Sequence, residues 1–356
     1  MQSAEFIKWM QKQGLLQLAK NNFIYFKKVL TECLNAQDED VLILCDNGYP
    51  EKRIAPIMAV SYYYAAKKLG LKVALQAQAP KLKGEIASEN IVKSLRALKN
   101  GSIIILCLSH RLGQLKKLGR SYRKFALAGD HRFVSTPSLG SLPTTDFSHF
   151  IRCINIDYTN LQEKAKKIKN LLDWGRHIKV ETRLGSSFEF SVRGRSAVCN
   201  DGNYTTSGSG GNIPAGEVYI APIKKSVNGV LYIDGTVKHR WGTSIVKKPI
   251  KLTIERGKVL DISGGLEANM LYKTLEWAYE KSEYPWGVRY IGEFGIGINP
   301  KSSLLGATIM DEKVIGTAHV AIGSNYWFGG TIYSIIHLDQ VFRNPKIMID
   351  GKILKC

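Results

Sequence analysis

Apolar runs and amphipathic segments alternate along the first 150 residues. Continuous apolar runs, typical of buried strands, occupy residues 41–45, 73–75 and 103–108. Apolar positions at helical spacing predict helices at 22–34, 53–69 and 88–98, with Gly70 placed to end the second. Strands that are apolar at every position and separated by helices favour a parallel sheet covered on both faces. No GxGxxG follows the first strand, so we do not predict a dinucleotide site.

The pattern changes in the middle of the chain. Residues 135–147 are rich in Ser, Thr, Pro and Gly and are predicted to join two domains, and a helix is expected at 161–174. Beyond residue 177, alternation of period two predicts strands at 180–183, 188–192, 218–220, 230–233 and 252–255, with one helix at 266–281. We therefore predict an α/β protein. It has a Rossmann-like parallel sheet with flanking helices over 1–150 and a β-rich α+β domain over 151–356.

Composition restricts the class of protein. Hydrophobic residues make up 44% of the chain, which supports a sizeable core. No apolar run approaches the roughly 20 residues of a membrane-spanning helix, and the first residues lack a secretory signal, so we expect a cytoplasmic protein and no membrane partner. Cysteines without a CxxC pair are predicted to be buried free thiols: Cys33, Cys45, Cys107, Cys153, Cys199 and Cys356.

The formal net charge is +20. Such a charge allows salt-dependent binding of nucleic acid. Much of the excess, however, is lysine scattered over predicted helices, which favours solvated helix faces. Nucleic-acid binding is therefore not the favoured explanation.

Histidines are few, seven in all, so their positions are informative. His337 and Asp339 are two residues apart and, on a strand, would point to the same face. His319 lies among small and apolar residues 18 positions earlier. Imidazole and carboxylate together ligate Zn, Mn, Co or Fe(II). An exposed strand face for the first pair, and a buried histidine bonded to backbone for the second, remain alternatives.

Glu217 and Glu293 stand on short apolar segments next to glycines. A carboxylate in such a setting is poorly solvated and needs a partner. A divalent cation would serve, and so would a Lys or Arg side chain. Jointly, these three carboxylates and two imidazoles suffice for two adjacent metals with one bridging carboxylate.

Four motifs carry a family resemblance: GNIPAGEVYIAP at Glu217, GEFGIGINP at Glu293, GTAHVAIG at His319, and SxIHxD ending at Asp339. In this order they resemble the thermophilic metallo-aminopeptidases, aminopeptidase T and aminopeptidase S, of the leucyl aminopeptidase type. The likeness covers residues 185–356. Two positions depart from the expected pattern, with Ile332 in place of an asparagine and Leu338 in place of a frequent tryptophan.

The resemblance implies a homodimeric metal-dependent aminopeptidase acting on peptides. It implies that two divalent ions (Zn, Co, Mn or Mg) are held by Glu217, Glu293, His319, His337 and Asp339. These ions would activate a bridging water, with Glu293 or Glu217 accepting its proton. Tyr326 corresponds to the tyrosine that assists catalysis.

Two other functions stay open. His319, His337 and Asp339 by themselves form a 2-His-1-carboxylate set, as in non-haem Fe(II) oxygenases. Relatives of the aminopeptidases include iron-dependent ring-opening dioxygenases for dihydroxypyridines, so this alternative also has support by resemblance. The third function is a basic binding protein that keeps a relict metal site.

Overall fold

The computed structural model describes residues 1–119 and 122–355. Its helices are α1 Ser3–Lys12, α2 Leu16–Lys28, α3 Ile54–Lys68, α4 Glu89–Arg96, α5 Tyr122–Ala128, α6 Phe147–Ile154, α7 Tyr158–Trp174, α8 Leu266–Lys281 and α9 Thr308–Asp311. A π-helical turn, Val29–Cys33, continues α2.

The strands belong to three sheets. They are β1 Val41–Asp46, β2 Val73–Gln78, β3 Ile103–Cys107, β4 Arg132–Thr136, β5 His177–Glu181, β6 Ser187–Ser191, β7 Val198–Asn200, β8 Gly210–Asn212, β9 Glu217–Ile220, β10 Asn228–Ile233, β11 Thr236–His239, β12 Gly242–Ile245, β13 Ile250–Glu255, β14 Lys258–Ser263, β15 Ile291–Gly297, β16 Thr317–Gly323, β17 His337–Arg343, β18 Lys346–Ile349 and β19 Lys352–Ile353.

The chain divides into two compact units. The first comprises Met1–Tyr158 and Gly202–Ala215, and the second comprises Thr159–Asp201 and the residues from Gly216 onward. The first unit holds a parallel sheet in the order β2-β1-β3-β4-β8. Alternate residues of its central strands, such as Leu42 and Ile104, pack with α4 in one core. The central strands β1 and β3 are thus buried on both faces, as their sequences predict, whereas β2 is partly exposed.

The second unit contains two antiparallel sheets, in the orders β14-β13-β10-β6-β5-β18-β19 and β12-β11-β17-β16-β15-β9-β7. Aromatic side chains pack between them. Phe190 of the first of these sheets lies 5.1 Å, ring centre to ring centre, from Phe294 of the second, and Phe188 lies 6.0 Å from Phe342. Because side chains alternate across a strand, the neighbours of Phe294 and Phe342 in sequence point to the opposite face.

The predicted α/β fold class is confirmed. Helix 266–281 agrees with α8 at both ends, and Gly70, at a φ of 76°, follows the end of α3 as expected. Strands β4 and β8 are not among the strands that the sequence predicts. In β8, Gly210 has no Cβ, and a Cβ there would stand 2.4 Å from Phe133, so close strand pairing requires a glycine at this position.

Cys33, Cys45, Cys107 and Cys153 are buried free thiols, and Cys199 is half-buried. Cys356 lies outside the described residues. Within those residues, no helix is long and apolar enough to cross a membrane.

Candidate metal centre

The predicted ligands lie on four neighbouring strands of one sheet, in the order β17-β16-β15-β9. Glu217 is on β9, Glu293 on β15 and His319 on β16, while His337 and Asp339 are on β17. Pairing sets Glu293 and Asp339 opposite the same residue, Ala321. All five side chains point to the face opposite the aromatic core.

Glycines lie directly opposite several of the ligands on this face. Gly295 is opposite His319, Gly297 is opposite Glu217 and Gly323 is opposite His337. A Cβ on Gly295 would lie 2.2 Å from the His319 ring. The glycines of the sequence motifs therefore make room for the polar side chains of adjacent strands.

His337 and Asp339 meet as their spacing predicts. The His337 Nε2 is 3.2 Å from Asp339 Oδ1 and 3.5 Å from Glu293 Oε2. On the other side of the ring, Nδ1–H donates a hydrogen bond of 2.8 Å to the Ser324 carbonyl. This bond leaves the Nε2 lone pair of a neutral ring directed at the carboxylates, as a metal ligand requires.

His319 is fully buried beside the same glutamate. Its Nε2 is 3.1 Å from Glu293 Oε1 and 3.7 Å from Glu217 Oε2. Its Nδ1 has no hydrogen-bond partner among the described residues. Glu293 thus lies between the two imidazoles.

Glu217 has a different partner. Its Oε1 forms an ion pair with Lys313, whose ammonium also contacts Glu312 Oε1 at 2.5 Å. The Lys313 side chain is completely buried. The alternative foreseen for a buried glutamate, a salt bridge to lysine, is present at Glu217.

The charges at the centre shift several pKa values. Burial lowers the pKa of His319 and His337, but hydrogen bonds and charges from Glu293, Glu217 and Asp339 outweigh burial and raise both pKa values to about 9. For Asp339, burial raises the pKa, yet His337 lowers it well below its usual value. Burial and Glu312 raise the pKa of Glu217, partly offset by Lys313. The carboxylates therefore favour protonated imidazoles when no cation is bound.

The donor atoms of Glu293, His337 and Asp339 all lie within 4.8 Å of one another. Two buried carboxylates and an imidazole with a fixed tautomer are a suitable donor set for a divalent transition metal. Within the described residues, this is the one group of three such side chains that could hold a metal ion.

Comparison with known proteins identifies the family. Residues 149–355, more than half of the chain, match the family model described as NicX: 2,5-dihydroxypyridine 5,6-dioxygenase. The chain belongs to the NicX family. A curated relative, the 2,5-dihydroxypyridine 5,6-dioxygenase of Pseudomonas putida KT2440, is 26% identical over 192 residues, 52% of this chain and 54% of that protein. This match spans about half the length of the relative.

Two solved structures share the fold. The 2,5-dihydroxypyridine dioxygenase of Pseudomonas putida KT2440 superposes with a TM-score of 0.72 at 19% identity, covering 94% of this chain and 95% of that one. Wild-type AmpT from Thermus thermophilus superposes with a TM-score of 0.63 at 15% identity, covering 94% and 99%. The resemblance to aminopeptidases is therefore confirmed at the level of the fold.

The prediction of a peptide-hydrolysing aminopeptidase is wrong, because the family match and the curated NicX relative indicate a dioxygenase rather than a hydrolase. In this chain the motifs build the sheet and its polar face, and they do not specify hydrolysis. A metal such as Fe(II) agrees with the NicX family, whereas a pair of Zn or Co ions has no support.

Aromatic residues lie around His337, the partly exposed ligand of the centre. Tyr326–Phe328 form a 3-10 turn, and the Trp327 ring meets the His337 ring edge to face at 4.9 Å. Tyr326 is exposed and stacks on Tyr333 at 4.9 Å. Its part in catalysis stays a prediction.

Sequence reasoning missed Lys313, Glu312 and Trp327. The run Asp311-Glu-Lys313 has the composition of a solvated turn, and nothing in its spacing indicates burial. Trp327 could have been found because it follows Tyr326 in the motif that resembles the aminopeptidases.

Proposed function

We propose that this protein is a ring-cleaving dioxygenase that uses a single Fe(II). The observation that carries the proposal is the buried cluster of Glu293, His337 and Asp339, joined by His319 through Glu293. The three donors are one imidazole and two carboxylates, both of which are ligand types found in non-haem iron sites, and His319 lies beside them on Glu293. Membership of the NicX family supports the same chemistry.

The protein residues hold and shield the reacting groups. His319, Glu293 and Asp339 are at most 5% exposed, so water has little access from their side. The His337 side chain is 24% exposed, which makes it the open side of the centre. Bound Fe(II) would supply the redox chemistry that lets molecular oxygen react with an electron-rich ring.

We propose a hydroxylated aromatic ring as the substrate, and the class that includes 2,5-dihydroxypyridine as the first choice. Trp327, half exposed beside His337, offers an apolar ring against which a flat molecule can pack.

The test is oxygen uptake by protein loaded with Fe(II) under anaerobic conditions and then mixed with 2,5-dihydroxypyridine in aerated buffer. We expect one O2 consumed per ring lost, and both atoms of 18O2 in the ring-opened product. Zn(II)-loaded protein should be inactive, since zinc has no redox chemistry. Ring loss without oxygen uptake would contradict a dioxygenase.

His337→Ala tests the centre itself. Loss of a ligand should reduce iron affinity by more than the roughly 10–100-fold typical of an outer-shell partner. The matched control is His177→Ala, at the exposed first residue of β5 in the same unit, which should keep both iron and activity. Normal iron content in His337→Ala would place the metal elsewhere.

A further inference from the structure

Lys313 is a buried cation beside the metal centre that the proposed reaction does not use. Its side chain is completely buried, and its ammonium forms ion pairs with Glu217 and Glu312. A buried ammonium is costly unless it is paired and hydrogen-bonded. The two carboxylates meet that requirement, and they also raise the pKa of Lys313 although burial lowers it.

The backbone fixes the position of this lysine against β15. The Lys313 carbonyl accepts a hydrogen bond of 2.8 Å from the Asn299 amide, and its own amide donates to Met310 at 3.1 Å. Gly297 lets the two segments approach, because a Cβ there would lie 2.9 Å from the Lys313 carbonyl carbon. The ammonium is therefore a built part of the site rather than a flexible surface group.

Glu217 is the residue on which a second metal would depend. One of its oxygens is held by Lys313 and by the Asn200 amide group at 3.2 Å, and the other lies 3.7 Å from His319 Nε2. A divalent ion bound at Glu217 would stand beside a fixed ammonium and be repelled by it.

We propose that Lys313 limits the centre to one metal ion per chain. Its ammonium occupies the site beside Glu217 and Glu312 that a second cation would need. The inference rests on the proposed function in that the single ion sits at Glu293, His337 and Asp339. Lys313 acts through Glu217 and is a positioning residue, not a catalytic one.

The experiment compares the metal content of wild-type protein and Lys313→Met after dialysis against excess Zn(II) and gel filtration, measured by inductively coupled plasma mass spectrometry. We expect one zinc per chain in the wild type and two in Lys313→Met, because Glu217 and Glu312 then need a new cation. Lys247→Met, the same change at an exposed lysine of the same unit, should keep one. One zinc in folded Lys313→Met would overturn the inference.

Two further variants cover the case in which Lys313→Met does not fold. Lys313→Met with Glu217→Gln removes one charge of each sign and should return the count to one. Glu217→Gln alone should retain one zinc with wild-type affinity, because the ion does not use Glu217. Loss of zinc from Glu217→Gln would overturn the inference.

These results are independent of ring cleavage. A protein that binds one zinc but does not react with 2,5-dihydroxypyridine would contradict the proposed function and leave the role of Lys313 intact. If the protein is an active dioxygenase but its Lys313→Met variant holds one metal, the proposed function stands and the role of Lys313 is contradicted.

Discussion

His337 illustrates how one side chain serves both the fold and the site. Its Nδ1–H bond to Ser324 sets the tautomer, and its Nε2 faces Glu293 and Asp339. The same carboxylates that would share a metal with the ring also favour a proton on it. Metal and proton therefore compete for His337 and, through Glu293, for His319.

This competition predicts the pH dependence of the metal-free protein. The pKa of each of these histidines rises from 6.5 to about 9 on folding. A raised pKa contributes stability that is fully present below pH 6.5 and is lost as the pH rises through 9. We expect the Tm of metal-free protein to fall by about 5 °C or more across this window.

Calorimetry at several pH values, with and without bound metal, checks this expectation. Metal affinity should rise over the same window, because fewer protons must be displaced. His337→Gln should show a shallower decline in Tm. A metal-free Tm that increases from pH 6.5 to 9 would be inconsistent with protonated imidazoles in the fold.

Among the elements, β15, β16 and β17 share one requirement: one face packs apolar residues, and the other face leaves room for ligands. Phe294 and Phe342 pack on the inner face, while Gly295 and Ala321 lie among the ligands on the outer face. These three strands therefore supply four of the five predicted ligands from one sheet face.

Gly295→Ala tests the requirement for space. The new methyl group would collide with the His319 ring, so the ring or the strand must shift. We expect a loss of about 1–3 kcal/mol in the free energy of unfolding and weaker metal binding. Denaturant unfolding and metal titration measure the two effects.

The control is Gly265→Ala, at the start of α8. A Cβ there meets Lys248 and Glu267 side-chain atoms at 3.3–3.4 Å, which can move. Metal affinity should not change in this variant. Equal effects in both variants would show that the loss is not specific to His319.

In the proposed function, the turn Tyr326–Phe328 contacts the substrate. Trp327→Ala should leave the iron content unchanged and raise the KM for a dihydroxylated ring by roughly tenfold, the effect of losing one aromatic contact of about 1.4 kcal/mol. Steady-state oxygen uptake gives the KM. Trp241→Ala, at an exposed tryptophan of the same unit, is the control, and an unchanged KM in Trp327→Ala would remove this residue from the substrate site.

On the scale of the whole molecule, the net charge of +20 has no assigned role. Dispersed lysines, several of them in exposed ion pairs such as Lys93 with Glu89, favour weak and non-specific contacts with polyanions. The predicted homodimer also stays a prediction, which light scattering would test.

We expect RNA binding, if measured by filter retention, to be weak and to disappear by about 0.2 M salt, because few phosphates are neutralised at once. The wild-type protein at low and high salt is its own control. Retention that persists at high salt would indicate a built nucleic-acid surface.

Sequence alone determined those features that depend on neighbours along the chain. Period-two alternation predicted that His337 and Asp339 share a face, and apolar strands between helices predicted the parallel sheet, because both follow from local backbone geometry. The residue types at the centre, imidazole and carboxylate, likewise indicated a metal.

Tertiary structure decided that Glu217 pairs with Lys313, while Glu293, His337 and Asp339 form the group that could hold a metal. Lys313 and Glu217 are 96 positions apart, and the lysine stands in a run with the composition of a surface turn. Only the packing of its segment against β15 buries the ammonium and brings it to Glu217, so the partner of that carboxylate was beyond any local pattern. The aminopeptidase prediction failed for a related reason. The motifs supply the small residues and the ligands that this sheet face needs. The reaction depends on which cations and substrates bind at that face, and the motifs do not specify them.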